Sequence, residues 1–398
     1  MQFSKVIGQA QLKTRLVQMV SDNRLSHALL FLSNEGSGGL SLARAFAQYI
    51  VCEKTNPQQT PDLFGAISEP EISDLPIDSC GICAACRKAN ELIHPDIHFS
   101  YPVIPRKSGD KPISTDFIKE WREFLQKQPY GNSYDWLQFI GAENKQGNIT
   151  TYECADIIRK ISLKSFESRY KILIMWMPEA LGNEGNKLLK LIEEPPPDTL
   201  FLLVAENQTK ILTTILSRTQ LIRIPKLSAA EIRQALEDAG TVPQKAAQIA
   251  TVSGGNYHEA ITLLEHAGDD WEVLLRDWLN TIIKTGPMAQ VKWIDEISKT
   301  GREKQKQFLK YFCHILHHAI RINILGLQVA SGLESESTTD FALRFNKLSD
   351  LPQQEAIIEE LDKATYYIER NANAKLLFHA LTIRLYHIIS NKTLILMN

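Results

Sequence analysis

The sequence offers two groups of residues whose types and spacing could do chemistry. The first is "CGICAAC", which sets Cys80, Cys83 and Cys86 two residues apart, with Cys52 upstream across a polar loop. Tight CxxC turns aim thiolates at one point, and tetrahedral zinc takes four such ligands. Four cysteines leave no open coordination position, so a metal there is structural. An iron–sulfur cluster also uses cysteine thiolates, and reduced thiols without metal are the bland alternative. His94 and His98 lie nearby and could replace one cysteine, although a core or solvated histidine suits them better. Cys154 and Cys313 stand alone and read as buried apolar residues.

The second group is "HALLFLSNEGSGGLSLARAFAQYIVC", with the strand, glycine loop and helix order of a phosphate-binding P-loop. A working loop needs G-x-x-x-x-G-K-[ST], in which lysine neutralises phosphate charge and the hydroxyl holds Mg²⁺. Here Ser33 stands at the first glycine, Gly38 at the second, Gly39 at the lysine and Leu40 at the hydroxyl position. Gly36, Gly38 and Gly39 preserve a flexible turn but no charge, and Ser41 comes one residue late. The next strand, "KILIMW", runs into Met177 and Pro178 where an acidic pair should organise Mg²⁺; only Glu179 follows. Lysine, hydroxyl and acidic pair are missing together, so ATP is not expected to be bound tightly or hydrolysed.

These residues need a scaffold. "ALLFL", "YKILIMW" and "TLFLLVAE" are short apolar runs suited to strands covered on both faces. "QLIRI" reads as a further strand, and helical patterns lie between, including "YECADIIRKISLKS" and "NEGNKLLKLIEE", stopped at Pro195. Alternation of this kind predicts a parallel α/β sheet. Residues 53–79 and 102–150 are polar and turn-rich and read as insertions, the second with a helix around "TDFIKEWREFLQ". From Ser228 onward the pattern is helical. Hydrophobic residues are 44%, charged residues 23% and net charge −2, which gives no global bias toward nucleic acid. The start lacks a signal-peptide core and no apolar run reaches membrane-spanning length, so the expected location is cytoplasmic, with no membrane partner.

The motifs "VIGQAQLKTRL", "LSHALLF", "CGICAAC" with "HPDIHF", "KLLKLIEEPPPDTLFLLVAEN" and "ILTTILSRTQLIRI" resemble the delta prime subunits of bacterial DNA polymerase III clamp loaders, which are AAA+ proteins. The likeness spans most of residues 1–225; the later helices match only by length and class. It implies an AAA+ P-loop-type domain over 1–225 with a zinc module at 52–98, a helical lid over 226–267 and an all-α C-terminal collar over 268–398. It also implies a non-catalytic role, since several delta prime subunits cannot hydrolyse ATP. The expected partners are the motor (tau/gamma) and delta subunits, with the sliding clamp and primed DNA inside the complex. "LSRTQ" resembles the family's Ser-Arg-Cys motif, with Thr219 in place of cysteine. By that resemblance Arg218, supported by Ser217, is an arginine finger reaching a neighbour's γ-phosphate. In "SGGNYHEAI", Glu259 stands near the place where nucleotide-binding relatives carry a basic residue. The alternatives are an active AAA+ ATPase with a variant P-loop and a free-standing zinc-stabilised nucleic-acid binder. The near-neutral charge and lack of Lys/Arg clusters speak against the latter.

Overall fold

The computed structural model describes residues 1–55, 76–107, 109–142, 145–265, 271–326, 336–369 and 372–390. Most of the loop over 53–79 therefore lies outside the described residues. The chain divides into two units: Met1–Asp238 with Gly255–Glu259, and Ala239–Gly254 with Ala260–Asn398.

The first unit is built on five parallel strands, β1 (Ala28–Ser33), β2 (Ile97–Ser100), β3 (Lys171–Trp176), β4 (Thr199–Ala205) and β5 (Gln220–Ile224), in the order β2-β3-β4-β1-β5. Strands β3 and β4 are buried along their whole length, which is why they read as unbroken apolar runs. Alternation sends Leu29, Phe31, Ile174 and Leu202 to one face, under α2 (Gly39–Val51). Leu30, Leu173, Met175 and Leu203 go to the other, under α6 (Thr151–Ser162). The remaining helices of this unit are α1 (Ala10–Ser21), α3 (Ala84–Asn90), α4 (Ile118–Lys127), α5 (Ser133–Phe139), α7 (Leu189–Glu193), α8 (Thr213–Leu216) and α9 (Ala229–Asp238). Ser228 caps α9: its Oγ accepts the Glu231 N–H at 3.2 Å, and Glu231 returns a carboxylate to the Ser228 N–H at 2.7 Å.

Three local readings are corrected. "NEGNKLLKLIEE" is not one α-helix: Pro178–Leu188 is a 3-10 stretch broken at Gly182 (φ 50°), and only Leu189–Glu193 is α-helical. Gly185 there lies so close to Leu212 and Ile215 that a Cβ would meet both side chains at 3.1 Å. "KILTTIL", which by sequence reads as a helix ahead of "QLIRI", is likewise a 3-10 turn plus the single turn of α8. Cys313 is half-buried rather than fully buried. Strand β2 went unread; with four residues it is too short to show a period, and only its register with β3 (Ile97 opposite Ile172) defines it.

The polar stretch over 102–150 carries an aromatic core. Trp121, Phe124 and Trp136 are fully buried. Trp121 stacks on Tyr101 at 4.0 Å and meets Trp136 at 5.0 Å and Trp176 of β3 at 5.3 Å. Trp136 Nε1 donates to the Pro102 carbonyl at 2.7 Å, whereas Trp121 Nε1 makes no hydrogen bond. Trp121→Ala is therefore expected to cost about 3–5 kcal/mol in chemical denaturation. Trp121→Phe should cost distinctly less, because the hydrogen-bonding capacity it removes is unused. Equal losses would mean that the ring volume is not what the cluster needs.

The second unit is helical throughout its described residues: α10 (Pro243–Val252), the greater part of α11 (Tyr257–Glu265), α12 (Trp271–Asn280), α13 (Pro287–Ser298), α14 (Arg302–Leu325), α15 (Glu336–Leu348), α16 (Leu351–Glu369) and α17 (Ala374–Ser390). Its core centres on Trp278, stacked on Trp293 at 4.8 Å and donating from Nε1 to Thr382 Oγ1 at 3.0 Å.

Candidate metal centre and a filled glycine loop

The helix α2 ends at Cys52, and α3 begins just after Cys83, so two helix ends and the turn between Cys80 and Cys83 face one point. The sulfurs of Cys52, Cys80, Cys83 and Cys86 all lie within 4.8 Å of one another. Cys80 and Cys86 Sγ are 3.9 Å apart, close to the ~3.8 Å edge of a tetrahedron with 2.3 Å metal–sulfur bonds. Backbone N–H groups point at the sulfurs: Cys80 N at Cys52 Sγ (3.3 Å), Cys83 N at Cys80 Sγ (3.4 Å) and Cys86 N at Cys83 Sγ (3.3 Å). Such bonds favour thiolates. The contact between Cys86 and Cys52 holds the Cys52 thiol low and pushes Cys86 up, as expected of sulfurs sharing too few countercharges. The four residues can coordinate one metal ion. His94 and His98 do not join them. His94 is buried facing Glu167 at 3.3 Å, and burial lowers His98 to about 4.

The glycine loop joins β1 to α2, where a nucleotide's phosphates would sit. The chain's own residues pack closely against the loop. The Tyr257 N–H donates to the Gly36 carbonyl at 3.1 Å, and a Cβ on Gly36 (φ 68°) would fall 1.7 Å from Asn256 Oδ1. A Cβ on Gly38 (φ 87°) would meet the Tyr130 ring at 2.9 Å. Tyr130 Oη accepts the Ile7 N–H at 2.8 Å and its ring packs edge-on to Tyr257 at 5.0 Å. Asn132 donates to Glu35 at 3.2 Å, and His258 faces Asp135 at 3.2 Å. At Gly39, the lysine position, a Cβ would come 2.4 Å from Ser33 Oγ. The late hydroxyl, Ser41, is fully buried and donates to the Pro129 carbonyl at 2.7 Å. Glu259 lies buried in the first turn of α11, its N–H held by Asn256 Oδ1 at 3.0 Å.

Glu179 ties the end of β3 to the end of β4: its Oε1 accepts the N–H groups of Glu206 and Asn207 at 2.6 and 2.7 Å. Burial, with repulsion from Glu35 and Glu179, raises Glu206 from 4.5 to about 8. The folded state keeps a proton that the unfolded chain releases, so this contribution is full below pH ~4.5 and lost as pH rises through ~8. Glu206→Gln is expected to lessen the fall in Tm over that interval, read by thermal denaturation at several pH values. An unchanged slope would mean that Glu206 is ionised in the fold.

Arg218 follows α8 at the foot of β5 with its side chain 31% exposed. It does not project freely: Nη1 donates to the Thr214 carbonyl at 2.9 Å, and Nη2 pairs with Glu193 Oε1 at 3.2 Å. Ser217 Oγ lies 3.3 Å from Nη1. Sequence reasoning took Glu193 only as part of a helix stop. It also missed Tyr130 and Asn256, for which no local signal exists.

The parallel sheet, the glycine loop between β1 and α2 and the cysteine cage at the end of α2 make an AAA+-like α/β fold with a candidate metal module. A protein-family model described as "DNA polymerase III, delta subunit" matches residues 8–137 and 131–228, more than half of the chain. The chain belongs to that family of clamp-loader subunits. It is 25% identical over 248 residues to DNA polymerase III subunit delta′ of Bacillus subtilis, covering 62% of this chain and 56% of that one. It is 24% identical over 272 residues to subunit tau of Escherichia coli, covering 67% of this chain and 33% of that one. A gamma subunit-related protein of Thermotoga maritima aligns over 96% of this chain and 99% of its own, at 12% identity and a TM-score of 0.37. The chain spans about a third to just over half of the length of these curated relatives. Among the described residues no helix is long and apolar enough to cross a membrane.

Proposed function

We propose that this chain is a delta prime-type, non-catalytic subunit of a bacterial replicative clamp loader, assembled with motor (tau/gamma) and delta subunits to load the sliding clamp onto primed DNA. In this reading residues 1–225 form the AAA+ domain, 226–267 a lid and 268–398 a collar for assembly. Cys52, Cys80, Cys83 and Cys86 hold one structural Zn²⁺, and Arg218 acts in trans on a neighbour's nucleotide. The observation that carries the non-catalytic part is the filled glycine loop. Asn256, Tyr257 and Tyr130 crowd the glycines that would have to wrap the phosphates, and no lysine stands in the loop to compensate. An ATPase with a variant P-loop would have to expel these side chains and still lack the charge.

Titration of the isolated chain with a fluorescent ATP analogue is expected to show no saturable binding in the micromolar range and no steady phosphate release. Micromolar binding would overturn the occlusion, and turnover by the chain alone would overturn the non-catalytic assignment.

A further inference from the structure

Residues 163–170 join α6 to β3 and take no part in the cysteine cage, the glycine loop or the setting of Arg218. Phe166 is 82% exposed there and Leu163 62%. Every other described phenylalanine is buried or half-buried. A lone apolar side chain on a loose loop would need no explanation. This loop is pinned. Asp96, buried just before β2, accepts the N–H groups of Phe166, Glu167 and Ser168 at 2.6, 2.8 and 2.8 Å. Its carbonyl accepts the Ile172 N–H of β3 at 2.8 Å, so the carboxylate is fixed to the sheet. Glu167 turns inward to Lys88 and His94. Three consecutive amides on one buried carboxylate hold the turn in a single shape, with Phe166 directed into water. Fixing an apolar side chain in water gains the isolated chain nothing; it lowers the ordering cost of a contact made later.

Cations surround the two apolar residues. Lys164 stands between them, exposed and without an ion pair among the described residues. Arg159, one turn before Leu163, and Arg169, just after Phe166, are exposed as well. The nearby acids are engaged within the chain: Asp156 with Arg159 and Lys160, Asp198 with Arg169, and Asp96 with the amides. A surface that takes this loop must offer an apolar pocket with carboxylates at its rim. Single-stranded nucleic acid suits the ring and the cations but not Leu163, which has no face on which a base stacks.

We infer that Leu163 and Phe166 form a docking knob for a partner protein, seated in an apolar pocket rimmed by acidic side chains, with Lys164 meeting the rim. The inference rests on the reading of this chain as one subunit of a clamp loader, and the partner is sought within that assembly.

The test places a photoreactive benzoylphenylalanine at position 166 of the full chain, in a reconstituted complex with motor and delta subunits and the sliding clamp. Assembly of that complex, read by gel filtration before irradiation, tests the earlier reading by itself. Irradiation is expected to join position 166 to one other protein of the complex. With that protein purified, Phe166→Ala should weaken its binding to the full chain about thirtyfold, the loss expected of a buried aromatic anchor. Tm should not change, because the ring lies in water. Lys164→Glu should weaken binding about tenfold at low ionic strength and much less at high salt. No crosslink in the assembled complex, or a crosslink with unchanged affinity in Phe166→Ala, overturns the inference. So does a crosslink formed only with a second copy of this chain. Saturable binding of a dT oligonucleotide that Phe166→Ala abolishes overturns it too, and makes the loop a base-stacking site.

Discussion

A reconstituted clamp loader carrying Arg218→Ala in this subunit is expected to assemble normally and to lose turnover at the one nucleotide site beside it. An arginine delivered in trans is worth about 10³-fold or more in phosphoryl transfer, because its planar fork meets charge that develops on the γ-phosphate oxygens. Folding should be unaffected. The pair with Glu193 at 3.2 Å is solvent-exposed, with side chains 31% and 55% accessible, and such pairs contribute at most about 1 kcal/mol. The same weakness makes the finger deliverable, since a neighbour's triphosphate easily outcompetes one exposed carboxylate. Glu193→Ala is then expected to leave turnover at least as fast as in the unmodified complex, whereas Arg218→Lys should rescue only part of it, an ammonium being unable to fork onto two oxygens. Single-turnover hydrolysis with clamp and primed DNA present is the measurement. A wild-type rate at every site in the Arg218→Ala complex would remove Arg218 from the role.

The second large effect is expected from the metal. Purified protein should contain about one zinc per chain and be colourless, as four thiolates at structural-zinc spacing require. Chelation, or Cys83→Ser, should open the segment around α3, seen as faster amide exchange over residues 76–90. The reason is the small size of the module. Within α3 only Ala85, Cys86 and Ala89 are buried, too little apolar surface to hold a seven-residue helix in place once the sulfurs are released. The end of α2 should loosen with it, because Cys52 anchors both. A metal-free protein with unchanged exchange and Tm would show that the cage is held by packing alone. Visible absorption from a bound iron–sulfur cluster would replace zinc by its rival.

Much of this molecule could be read locally. Cysteine spacing alone named the cage, because CxxC turns place sulfurs by backbone geometry within a few residues. The strands β1, β3 and β4 announced themselves by apolar runs, and Pro195 ended α7 close to where its ring forbids a helix to continue. The absence of charge at Gly39 is likewise a matter of residue identity.

What the sequence could not determine was what takes the place of the missing phosphate contacts. Tyr130 lies over ninety residues from Gly38, and Asn256 more than two hundred from Gly36; no periodicity links them, and only the folded chain brings them together. The stretch over 102–150 read as an insertion because it is polar and rich in turn residues. Yet its tryptophan and phenylalanine rings are large enough that three of them, Trp121, Phe124 and Trp136, close a core against Trp176 once the sheet supplies the other wall. The stretch over 178–188 breaks at Gly182 (φ 50°), and Gly185 beyond the break packs against Leu212 and Ile215, about thirty positions away. Local propensity sets which elements are affordable, but contacts between distant residues decide which side chains fill a site. Here those contacts pack Tyr130, Asn256 and Tyr257 against the glycine loop.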